Sequence, residues 1–101
     1  MQAIRIAHYA LTEGTFPELA EQTRGGLLET FKTQPGFIRY GLVDTGEGHY
    51  ASISLWDTLA QAEAATPVAA AWVRDNLSDR VELRSNEVGE LAFFEGATAA
   101  V

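Results

Sequence analysis

The chain has 101 residues, of which 47% are hydrophobic and 21% charged. That composition belongs to one globular domain and excludes a disordered chain. The formal net charge of −7 and the complete lack of cysteine make nucleic acid and anionic membrane unexpected partners, and remove disulfides, thiolate metal sites and cysteine nucleophiles from consideration.

Met1 to Ile6 alternates as a strand does and lacks the basic and apolar regions of a secretory leader. No apolar run approaches the roughly 18 residues of a membrane span, and a cytoplasmic location is the expectation. The first strand is predicted over Gln2 to Ala10, with Ile4, Ile6 and His8 on one face and Ala3, Arg5, Ala7 and Tyr9 on the other. After a turn at Gly14, Thr15 reads as a helix N-cap with Glu18 closing a capping box, and Pro17 is harmless in the first turn. Phe16, Leu19, Thr23, Leu27 and Phe31 recur at helical spacing and predict one buried face. Gly25 and Gly26 fall within this helix, where each costs about 1 kcal/mol relative to alanine. Close approach to the sheet or a neighbouring element is the expected reason. The helix is predicted to stop before Gln34-Pro35-Gly36, since proline disfavours helical geometry in its predecessor.

Phe37 to Asp44 and Tyr50 to Trp56 read as strands joined by a hairpin over Thr45-Gly46-Glu47-Gly48. Thr58 with Gln61 fits a second capping box. Thr66-Pro67 is expected to restart or bend the helix, which continues through Val68, Ala69, Trp72, Val73 and Leu77. Val81 keeps the same spacing, and Arg80 to Asn86 has no firm assignment. The last strand is predicted over Glu87 to Phe94, with a bulge at Gly89. One domain is expected over residues 1–95, followed by a fraying tail over 96–101.

The order β-α-β-β-α-β predicts an α+β, ferredoxin-like split βαβ fold with an antiparallel sheet. The second strand offers Ile38, Tyr40 and Leu42 on one face and Phe37, Arg39, Gly41 and Val43 on the other. The third sets Ala51, Ile53 and Leu55 against Tyr50, Ser52, Ser54 and Trp56. Both faces are largely apolar. Helices cover only one, so the other predicts a homodimer with sheets packed face to face.

The run Gln34-Pro35-Gly36-Phe37-Ile38-Arg39-Tyr40 resembles the Pro-Gly-apolar-x-x-Tyr entry into strand two of the antibiotic biosynthesis monooxygenase superfamily, the dimeric α+β-barrel proteins. Ser54-Leu55-Trp56-Asp57 is similar to that family's aromatic-then-polar end of strand three, and Glu87-Val88-Gly89-Glu90-Leu91 fits its last strand. The resemblance covers nearly the whole layout. It implies the fold and a choice among cofactor-free oxygenases, haem-degrading oxygenases, polyketide cyclases, isomerases and members without known activity. Haem degraders of the family use an asparagine on strand one and a tryptophan and a histidine on helix two. Counting on from Trp56, those helix positions fall near Ala65 and Asp75, and the first strand has no asparagine. The haem pattern is therefore missing.

Under that resemblance the expected activity is cofactor-independent monooxygenation of a small phenol or quinol. A base deprotonates the substrate, whose anion reduces dioxygen. A non-catalytic ligand-binding or structural dimer and a cyclase or isomerase are the alternatives. His8 is the expected base, because imidazole titrates near neutral pH, and Arg39 the expected anion stabiliser. Tyr9, Tyr40, Trp56 and Trp72 are the expected walls for a flat aromatic ligand, a role that a dimer core would serve equally. His49 is expected at the exposed hairpin. No cofactor or metal is expected, since no His-x-His or His-Glu-x-x-His spacing occurs.

Overall fold

A computed structural model describes residues 1–97, so most of the predicted tail lies outside the described residues. The elements are β1 (Ala3–Leu11), α1 (Phe16–Gly25), α2 (Leu27–Phe31), β2 (Phe37–Gly46), β3 (His49–Trp56), α3 (Leu59–Asn76) and β4 (Val81–Glu90). The four strands form one antiparallel sheet in the order β2-β3-β1-β4. This is the ferredoxin-like α+β arrangement. The helices cover one face, which carries Ala3, Arg5, Ala7 and Tyr9 of β1, all buried.

The first helix is not continuous. Gly26 adopts φ −112° and ψ −77° and separates α1 from α2. A Cβ there would fall within 3.0 Å of the Trp72 ring, whereas one on Gly25 would meet nothing within 4 Å. Close approach is thus the reason for Gly26 alone. The predicted buried stripe holds, with Leu19, Thr23, Leu27 and Phe31 all in the interior. Thr15 accepts from the Glu18 N–H but spends its own hydroxyl proton on the Glu18 carboxylate (2.9 Å). The Thr58–Gln61 capping box forms in both directions. α3 runs through Pro67 without restarting. The missing N–H leaves only the Glu63 carbonyl without its helical donor.

The last strand begins earlier than predicted. Val81-Glu82-Leu83-Arg84 carries a period of two that the helical spacing of Val73, Leu77 and Val81 masked, and Val81 pairs with Leu11. The strand also ends at Glu90, with Phe93 and Phe94 exposed beyond it. The register slips not at Gly89 but opposite His8 and Tyr9, where Arg84 is left without a partner.

Candidate functional site

Cross-strand pairing sets the helix-covered face in rows. Tyr40, Ser54, Arg5 and Val88 form one; Leu42, Ser52, Ala7 and Asn86 the next; Asp44, Tyr50, Tyr9 and Leu83 the third. Tyr9 stacks on Tyr50 with ring centroids 5.1 Å apart and planes 11° from parallel. Ser52 donates to the Tyr40 hydroxyl at 3.0 Å. Trp72 descends from α3 onto this group, and the residues enclose only a minute void. They form an aromatic partition between helices and sheet. Burial pushes the Tyr40 phenol up to about 12, against the Ser52 hydrogen bond that favours ionisation. Burial raises Tyr50 as well, with Tyr9 and Tyr40 adding to the effect. Both phenols keep their protons across the physiological range, and Tyr40 is a hydrogen-bonding neutral, not a base.

A cavity opens on each side of the partition. One of about 350 Å³ lies between α1, α2 and β2. Phe16, Ala20, Leu28 and Leu42 supply its apolar wall, and Thr23, Tyr40 and the exposed Arg24 its polar groups. Thr23 is tied inward, donating to the Leu19 carbonyl at 2.8 Å. The other, of about 280 Å³, lies between α3 and the β1–β4 pair. Arg5 and Tyr9 are buried at its floor, Thr66 and Val73 line its side, and Arg74 and Leu83 are exposed at its rim.

The sequence model of the antibiotic biosynthesis monooxygenase family matches residues 3–67. The chain belongs to that family. Solved structures agree on the fold. SnoaB from Streptomyces nogalater, a cofactor-independent oxygenase seen as a point mutant, is 18% identical, with 92% of this chain and 95% of that one covered and a TM-score of 0.67. The haem-degrader MhuD from Mycobacterium tuberculosis, with two haems bound in its active site, is 20% identical over 93% and 99% at a TM-score of 0.68. MupZ from Pseudomonas fluorescens is 15% identical over 86% and 69% at a TM-score of 0.66. No protein with a curated description matches the chain.

Of the residues singled out in the sequence, this member of the family brings Tyr9, Tyr40 and Trp72 together in the partition. Trp56 lies apart, fully buried among Phe31 and Phe37, its indole N–H donated to Ser54 at 2.8 Å. His8 and Arg39 project from the opposite, uncovered sheet face. His8 shares a row with Ala51, Arg39 with Leu55 and Ile4, and both side chains are exposed. Neither lines the cavities described above. His49 is exposed, as expected. At the two helix positions counted for the haem pattern, Ala65 is a buried methyl group and Asp75 an exposed carboxylate paired with Arg74.

Sequence reasoning undervalued Arg5. It is 2% exposed, under α3 on a face otherwise occupied by Ala3, Ala7 and Tyr9. Its Nε donates to the Thr66 hydroxyl at 3.2 Å. The available signal was its position: by alternation it shares a face with two alanines, which leave room for a guanidinium.

Proposed function

We propose that the protein is a homodimeric, cofactor-independent monooxygenase that acts on a small phenol or quinol held between α1, α2 and β2. The observation carrying this reading is the 350 Å³ cavity with an apolar wall, the Tyr40 phenol at its floor and Arg24 at its rim. That volume suits a compact aromatic. Likeness to SnoaB supports the choice of a cofactor-independent reaction. The substrate enters as its anion, with the Arg24 guanidinium offsetting the charge and Tyr40 donating a hydrogen bond. The anion supplies all four electrons that reduce dioxygen. One oxygen atom enters the ring at a free carbon, para to the hydroxyl in a phenol, and the other leaves as water, so a phenol becomes a quinone and a quinol a hydroxyquinone with no other reductant. No carboxylate or imidazole lines the cavity. The proton therefore leaves to solvent.

The dimer is supported by the uncovered sheet face, where Ile4 and Leu55, then Ile6 and Ile53, stand in adjacent rows beside exposed Ile38 and Val43. A contiguous apolar patch on a sheet face that no helix covers commonly marks an interface. The same lack of a base favours a second reading, ligand binding without turnover. Oxygen-electrode assays on a panel of naphthols and naphthoquinols decide between the two. Consumption of one dioxygen per quinone formed from a naphthol, lowered roughly 10-fold or more by Arg24→Ala, supports the oxygenase. Saturable binding with no oxygen uptake above the spontaneous rate assigns the protein to the second reading.

A further inference from the structure

The α3–β4 cavity holds an unusual group for the interior of a small domain. Arg5 is only 2% exposed, yet no carboxylate of a described residue lies within ion-pairing distance of it. The two ion pairs found are Lys32–Glu29 and Arg74–Asp75. Arginine carries five N–H donors and stays charged. One of the five meets Thr66, whose hydroxyl also accepts from the Asn86 amide at 3.5 Å. The four on the terminal nitrogens meet no acceptor among the described residues. No side-chain nitrogen or oxygen sealed from solvent is left without a partner there, so those donors face the open space of the cavity they line. The Tyr9 hydroxyl, from a residue 5% exposed on the same floor, also has no partner among the described residues.

A buried cation is costly unless an anion or several acceptors meet it. The cavity around this one is lined by a second cation, Arg74, and by no acid, in a chain whose net charge is −7. Apart from the Thr66 and Ser78 hydroxyls, its remaining walls are apolar: Ala70, Val73, Leu83 and the Tyr9 ring. The two terminal nitrogens of a guanidinium match the two oxygens of a carboxylate. We propose that this cavity binds a small organic acid, its carboxylate held by Arg5 and its apolar body between α3 and β4. The site lies across the aromatic partition from the cavity assigned to the phenol, and it stands whether or not the protein turns over a substrate.

Naphthoate tests it, with naphthamide as the uncharged analogue and formate as the bare carboxylate. Binding is followed by calorimetry and by amide chemical shifts on the intact chain. Naphthoate is expected to shift amides around Tyr9, Val73 and Leu83. Naphthamide, and naphthoate with Arg5→Met, are expected to bind roughly 10- to 100-fold more weakly, the worth of charge-assisted hydrogen bonds. Arg5→Met should fold with an unchanged or raised Tm, because an apolar chain replaces a buried charge. Should it fail to fold, Ala70→Phe, at an exposed position on the rim, keeps Arg5 and should abolish binding by plugging the cavity. Equal affinity for acid and amide overturns the proposal. So does retained affinity in folded Arg5→Met or in Ala70→Phe, formate binding as tightly as naphthoate, shifts confined to the Leu28 and Leu42 side, or no saturable binding at millimolar acid.

Discussion

Gly26→Ala is the sharpest test of how the helices are seated. A Cβ at Gly26 falls within 3.0 Å of Cζ2, Cε2 and Nε1 of Trp72, closer than real side chains approach. The indole cannot swing away freely, because it packs against both hydrophobic clusters of the core. Overpacking of this kind costs about 1–3 kcal/mol. Alanine's advantage over glycine recovers at most about 1 kcal/mol, and less at a junction whose backbone is not regular helix. The net expectation is a loss of about 1–2 kcal/mol. Gly25→Ala is the internal control. Its Cβ meets nothing within 4 Å and its position is helical, so it should stabilise by up to about 1 kcal/mol. Urea unfolding of both variants at one protein concentration measures the two changes, with unchanged slopes confirming that the midpoints report stability. If Gly26→Ala matches the parent, or if Gly25→Ala loses as much, the packing of Trp72 onto the α1–α2 junction is wrong.

Ile53→Asp places a carboxylate at the centre of the uncovered face, in the row of Ile6 and Glu87. Light scattering should show the parent as a dimer at micromolar concentration and this variant as a folded monomer; a parent that is monomeric throughout defeats the face-to-face dimer. The Tyr40 phenol, raised to about 12 in the fold, keeps its proton after the unfolded chain has lost its own near pH 10. The folded state then binds the extra proton, so this contribution is whole below about pH 10 and is lost as pH rises toward 12, at no more than about 1.4 kcal/mol per pH unit. Tyr40→Phe should flatten part of the alkaline loss of stability, leaving the share that belongs to Tyr50; an unaltered alkaline slope would show that Tyr40 is not buried as described.

Much of the architecture was legible because it rests on local chemistry. Capping at Thr15 and Thr58, the Pro35-Gly36 stop and the glycines of the hairpin each act within a few residues of themselves, and each lies where it was read. The failures share a cause. Val81 satisfies a helical period with Leu77 and a strand period with Leu83. The choice was made by its pairing with Leu11, far away in the chain, which no local pattern contains. The break at Gly26 was decided by the indole of Trp72, also remote in sequence.

The site was less legible than the fold for a related reason. Alternation along β1 divides its residues into two faces but does not say which face the helices cover. Ile4, Ile6 and His8 look like the interior set, and Ala3, Arg5, Ala7 and Tyr9 like the solvent set, because isoleucine outranks alanine and arginine in hydrophobicity. The fold takes the opposite choice. Helices that approach a sheet closely need small residues beneath them: Ala3 of β1 clusters with Ala62, Ala65 and Ala69 of α3, and Ala7 with Leu19 of α1 and Leu77 at the end of α3, in a closely packed interior. The bulkier isoleucines are left on the uncovered face, where a second copy can bury them. On that assignment His8 moves out with the isoleucines and Arg5 moves in with the alanines. A charge that would be unremarkable in solvent becomes a buried cation among apolar walls. Such a group needs an anion to offset its desolvation, and no acid of the described residues supplies one. The same packing choice thus accounts for the exposed histidine and for the receptive arginine.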